Sequence, residues 1–201
     1  MERLKLDEGA RVLVIVAHPD DETIWMGGTI ARHKKVQWTL VALCLKSDPD
    51  RMPKFKRVAK HYGASGLICD LEDEGVMSIQ ESISAIQNIL RKELPEKKWD
   101  VVFTHGANGE YGHPRHKGTH HAVKEMLKTG ELKARTAFFF AYRLDEKKKV
   151  AIPQENVPRA VELSAKEWRA KRGIMKELYG FEAQSFENRS CAPIETFSKY
   201  V

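Results

Sequence analysis

The chain has 201 residues, a formal net charge of +6, and 42% hydrophobic against 31% charged residues. That length suits one domain over 1–201 with a sizeable core, and that balance excludes a disordered chain. Lys and Arg are scattered among Asp and Glu, with Lys147-Lys148-Lys149 the densest run, which argues against a nucleic-acid-binding surface.

Strand and helix patterns then alternate. Residues 11–17 read as an almost wholly apolar strand, as one covered on both faces should be. A helix follows over 23–33, then a strand at 38–45 and a loop at 46–53 with two prolines. A helix over 54–62 is stopped by Gly63, and a short strand lies at 66–69. The segment 78–94 sets Ile79, Ile83, Ile86 and Leu90 at helical spacing. A strand at 101–104, a glycine-rich loop at 105–114, a helix over 116–127 and a strand at 136–142 come next. A short strand is expected near 150–152, and a helix over 164–178 opens with a capping box, Ser164 and Glu167. The end, 180–201, reads as irregular. This alternation predicts an α/β fold with a mostly parallel sheet and helices on both faces.

Gly27-Gly28 falls inside a helix and no GxGxxG is present, so no nicotinamide or flavin site is expected. Cys44, Cys69 and Cys191 form no CxxC pair and read as buried thiols. No apolar run reaches the roughly 18 residues of a membrane-crossing helix. The amino-terminal stretch carries acids and lacks a signal-peptide profile, so a cytoplasmic location is expected.

Two stretches carry chemistry. Ala17-His18-Pro19-Asp20-Asp21-Glu22 joins the first strand to its helix. Carboxylates there are favoured by the helix dipole, and the carboxyl ends of strands are where open α/β sheets bind ligands. Adjacent Asp20 and Asp21 point in different directions, so one can join His18 on a metal while the other stands beside the open position. The second stretch, Gly109-Glu110-Tyr111-Gly112-His113-Pro114-Arg115-His116, follows the 101–104 strand and should emerge at the same edge. Its HxxH spacing lets one histidine bind a metal while the other faces substrate. Two histidines and one carboxylate make a catalytic set with a position left for water, whose pKa zinc lowers to about 7. Iron(II) can also be held by such a set, but the spare carboxylate suits hydrolysis of an amide or ester better. His105 ends a strand with no role decided, and His120 and His121 read as ordinary helix residues.

These motifs, in this order and separation, resemble those of the PIG-L/LmbE family of zinc-dependent de-N-acetylases, from the first strand to about Ser185. The resemblance implies a Rossmann-like domain that removes acetyl from N-acetylglucosamine groups. It implies His18, Asp21 and His116 on zinc, and Asp20 as general base; Fe2+ stays open from the donor set alone. It also implies His113 at the tetrahedral intermediate, Tyr111 polarising the carbonyl and Arg51 binding substrate. Lys54 and Arg115 depart from the family pattern. Arg115 stands in place of an acid and, with Arg51, points to an acidic or polyhydroxylated group on a small-molecule amino sugar. Rival expectations are a metal-dependent amidase of a thiol-sugar conjugate and a non-catalytic sugar-binding protein of the same fold. Homo-oligomerisation is left open.

Overall fold

The structure is a computed structural model describing residues 2–147 and 149–200. Met1, Val201 and Lys148 of the lysine run lie outside the described residues. In chain order the elements are β1 (Glu2–Arg3), β2 (Arg11–Val16), α1 (Asp21–Arg32), β3 (Gln37–Cys44), α2 (Arg51–Tyr62), β4 (Ser65–Leu71), α3 (Ile79–Glu93) and β5 (Lys98–Thr104). There follow α4 (Pro114–Thr129), β6 (Lys133–Phe140), β7 (Tyr142–Leu144), β8 (Ala151–Pro153), β9 (Arg159–Glu162), α5 (Ala165–Glu177), α6 (Phe186–Ser190) and β10 (Ile194–Lys199). Eight strands form one sheet in the order β1-β9-β10-β6-β5-β2-β3-β4, and β7 pairs with β8. From β6 to β4 every neighbouring pair is parallel. β10 runs antiparallel to both β6 and β9. The fold is therefore the expected α/β one, with a mostly parallel sheet and helices around it.

Period-two geometry splits each central strand between two cores. Val12, Val14 and Val16 of β2 face the core built with Ile24 of α1, Phe55 of α2 and Ile174 of α5. Leu13 and Ile15 face the other, built with Ile86 of α3 and Met126 of α4. Covering on both faces is why β2 has no polar alternation. Gly27 and Gly28 serve packing: a Cβ on Gly28 would stand 2.4 Å from Leu163, and one on Gly27 2.6 Å from the Tyr62 hydroxyl.

Two expectations are corrected. The 180–201 segment is not irregular, for it holds α6 and β10, and β9 was not expected at all. β10 buries a glutamate, Glu195, so its pattern does not look like a core strand. α2 also begins three residues early, which puts Arg51 on its first turn. All three cysteines are buried and free. Among the described residues no helix is long and apolar enough to cross a membrane.

The chain leaves β2 for β3 on one side and later adds β5 on the other. The crevice outside the carboxyl ends of β2 and β5 is thus a switch point of the topology, where open α/β sheets bind ligands.

Candidate active site and metal centre

Both chemical stretches open into that crevice. His18 Nδ1 stands 3.2 Å from His116 Nε2 and 3.3 Å from Asp21 Oδ2. His116 Nε2 is also 3.3 Å from that oxygen. The three atoms form a nearly equilateral triangle. Ligands about 2.1 Å from a tetrahedral ion stand about 3.4 Å apart, so one face of a metal tetrahedron fits this triangle.

The hydrogen bonds behind the triangle decide where each neutral ring keeps its lone pair. His18 Nε2 meets Asp73 Oδ2 at 2.9 Å, which leaves Nδ1 free toward Asp21. His116 Nδ1 meets Glu110 Oε2 at 2.6 Å, which leaves Nε2 free. Asp21 is itself held, with Oδ1 accepting from Trp25 Nε1 at 2.8 Å and Oδ2 from the His18 amide at 2.9 Å. His105, His113 and Cys44 bring further metal-capable atoms within 4.8 Å of members of this group. They are less available. His105 Nε2 accepts from the Ala17 amide at 2.9 Å while its Nδ1 donates to Glu110 at 2.7 Å. His113 Nδ1 accepts from the Arg115 amide at 3.3 Å, which caps α4 and leaves the proton on Nε2. Burial pushes the Cys44 thiol up, away from the thiolate that a metal needs.

The carboxylates favour positive charge at the triangle, carried either by a second proton on each ring or by an ion that displaces it. Burial lowers the pKa of His18, but hydrogen bonds to Asp21 and Asp73 overcome it and raise it to about 10. Burial is likewise overcome at His116, where Asp21 and Glu110 raise it to about 9. Desolvation works against the charge on Asp21, yet the histidines hold its carboxyl well below the usual range. Desolvation and the nearby His116 and His18 lower His113 to about 4, so it is neutral near pH 7.

Glu110 lies inside the second motif. Its Oε2 takes both histidine protons, and its Oε1 takes the Gly106 amide at 2.7 Å. A glutamine cannot satisfy all three donors, because its NH2 must face one set of them. Glu110→Gln is expected to weaken metal binding about 10–100-fold, measured by chelator competition. Unchanged affinity would show that Glu110 does not orient His116.

Asp20 has φ 129°, a sparsely populated value for a residue other than glycine. Glu22 holds it there. The Glu22 carboxylate accepts from the Asp20 amide at 3.1 Å, the Tyr179 hydroxyl at 2.8 Å and the Thr23 hydroxyl at 2.6 Å. Although Asp20 is the N-cap residue, its side chain makes no capping bond. It turns instead to Arg51, whose Nη1 is 3.1 Å from Oδ2. Burial and the adjacent Asp21 raise the Asp20 pKa well above the usual range. Arg51 lies over the Phe181 ring, 4.7 Å from its centroid. Tyr111 packs edge-on against His116 and Phe186, with centroids at 5.1 and 4.8 Å.

Arg115, expected at the substrate, turns its Nε and Nη2 to the connection between β4 and α3. The side chain is only 2% exposed; its Nε and Nη2 donate to Glu72 and Met77, while its buried Nη1 meets no partner among the described residues. Lys54 pairs with Asp50 at 2.6 Å. His120, read as an ordinary helix residue, is buried with Nδ1 on the His105 carbonyl at 2.9 Å. Asp73, Glu110, Glu22 and Tyr179 were missed as site residues. Only Glu110 and Glu22 had a visible signal, their place inside the two motifs.

Fold and site together define an α/β protein with a metal-capable His/Asp centre at the carboxyl edge of its sheet. The chain belongs to the PIG-L family, for residues 13–127 match the family described as GlcNAc-PI de-N-acetylase. A 1D-myo-inositol 2-acetamido-2-deoxy-alpha-D-glucopyranoside deacetylase of Saccharopolyspora erythraea is 26% identical, with 55% of this chain and 51% of the relative covered. One of the same description from Rhodococcus erythropolis is 27% identical, with 55% and 50% covered. The chain spans about half the length of these curated relatives. Among solved structures, the A40926 pseudoaglycone deacetylase matches with a TM-score of 0.66 at 16% identity, covering 95% of this chain and 96% of that one. The 4-carboxy-2-hydroxymuconate hydratase of Pseudomonas putida KT2440 matches with 0.64 at 15%, covering 96% of each. Those two likenesses concern the fold alone.

Proposed function

We propose that this chain hydrolyses the acetamide of an N-acetylglucosamine-type unit in a small-molecule conjugate, releasing acetate. The observation that carries this is the triangle of His18, Asp21 and His116, whose lone pairs are aimed by Asp73 and Glu110. These three residues would hold a divalent metal, zinc first and Fe2+ second. Such an ion supplies Lewis-acid polarisation and makes a water acidic near neutral pH. Asp20, next to the triangle but outside it, takes the proton of the attacking water as general base. His113, neutral with its proton on Nε2, donates to the oxygen that gains charge, and Tyr111 adds a second donor. Arg51, beside Asp20 at the mouth, grips a hydroxyl or anionic group of the conjugate. The family supports the amide and the amino sugar, and the names of the relatives add an inositol glycoside as the conjugate to try first. A thiol-sugar amidase remains the alternative, and cytoplasmic action by one domain over 1–201 completes the proposal.

The test is acetate release from N-acetylglucosamine, its short oligomers and its phosphate, inositol and malate conjugates. The conjugates are expected to outperform the free sugar. Chelation should abolish the activity and added zinc restore it. Folded, metallated protein inert on every one of them would remove the amino-sugar reading.

A further inference from the structure

Arg115 is the largest buried cation that the proposed chemistry leaves without a task, and the structure shows what it holds. It is the second residue of α4, one before His116. From there it reaches the connection between β4 and α3. Its Nε donates to the Glu72 carbonyl at 2.6 Å, and its Nη2 donates to Glu72 Oε2 at 2.6 Å and to the Met77 carbonyl at 2.8 Å. The Glu72 carboxylate also gathers the amides of Val76 at 3.2 Å and Met77 at 2.8 Å. The 72–77 segment is therefore a closed loop pinned at both ends to one guanidinium. Asp73 sits inside that loop, with Oδ2 2.9 Å from His18 Nε2 and Oδ1 3.9 Å from Arg115 Nε.

We propose that Arg115 is a positioning residue for the metal centre: it fixes the 72–77 loop so that Asp73 orients His18. One turn of α4 then carries His116 itself and the clamp for the carboxylate behind His18, which keeps the two histidines in register. The inference rests on the metal reading of the His18, Asp21 and His116 triangle. It explains why the position holds arginine. The planar fork meets two carbonyls and a carboxylate in fixed directions, whereas a lysine offers one nitrogen.

Zinc affinity, measured by competition with a chromophoric chelator, is the readout. Arg115→Ala and Asp73→Asn are each expected to weaken zinc about 10–100-fold, the usual effect of removing an outer partner of a ligand histidine. The double variant should be no weaker than the weaker single one, because both changes remove the same support. At saturating zinc, KM should stay at its wild-type value. A folded Arg115→Ala with wild-type zinc affinity overturns the proposal. So does a raised KM at unchanged affinity, which would mark a substrate contact, and so do losses that multiply in the double variant. If Arg115→Ala does not fold, Arg115→Lys and Glu72→Gln carry the test, with weakened zinc expected and unchanged zinc overturning the idea. Wild-type protein that takes up no zinc would instead overturn the metal reading and this inference with it.

Discussion

Asp20→Asn is expected to keep its metal and lose about 10²–10⁴-fold in kcat, the usual worth of a general base. The geometry separates the two aspartates. Asp21 spends one oxygen on Trp25 and turns the other to both histidines of the triangle. Asp20 offers its Oδ2 to Arg51 and takes no part in the triangle. Asparagine has the same shape, can still accept from Arg51, and is one of the few side chains that tolerates positive φ. The fold and the three metal-facing atoms should therefore survive the change, while the ability to take a proton does not. Asp21→Ala should do the reverse, losing the metal and leaving the Trp25 indole N–H unpaired. Elemental analysis beside turnover on one conjugate reads both effects. Metal stripped by Asp20→Asn and spared by Asp21→Ala would exchange the two roles.

What is legible in the sequence follows from how far each interaction reaches along the chain. The two loops are readable because each packs its polar groups into a few residues after an apolar strand. The two cores are readable as well, since Val12 to Val16 and Ile83 to Leu90 repeat at the periods of strand and helix. Asp73 is different. It lies 55 residues from His18, and the bond between them exists only because β4 ends at the same edge as β2. Arg115 misleads for a related reason. Its place between two histidines suggests a part in binding, but the direction of a side chain on the first turn of α4 is set by the loop packed against it. β10 is hidden because a buried charge breaks its pattern, and its partner, Lys171, sits in another element.

That buried charge carries the largest expected effect on stability. α1 breaks at Met26, where φ is −150° and ψ is 19°, so the helix in effect starts again. The first amides of a helix lack partners within it and attract negative charge. Glu195 supplies both needs from β10. Its Oε1 accepts from the Gly28 amide at 2.8 Å and Lys171 Nζ at 2.7 Å. Its Oε2 accepts from the Thr29 amide at 2.7 Å and the Thr29 hydroxyl at 2.6 Å. Glu195 is fully buried and Lys171 is 1% exposed, so solvent cannot replace what is removed. Glu195→Ala would leave an uncompensated ammonium and three unpaired donors in the interior. The expected cost is about 3–5 kcal/mol, a large share of the roughly 5–15 kcal/mol that holds a domain folded. For a chain of this size that lowers Tm by about 6–20 °C. Removing both charges in Glu195→Met with Lys171→Met should recover part of the loss, because no ion is then left unpaired, although the Gly28 and Thr29 amides still lack an acceptor. Urea denaturation of the two variants, with hydrogen exchange at Gly28 and Thr29, measures each part. A loss in Glu195→Ala below about 1 kcal/mol, the scale of an ordinary substitution, would show that β10 does not hold the broken helix in place.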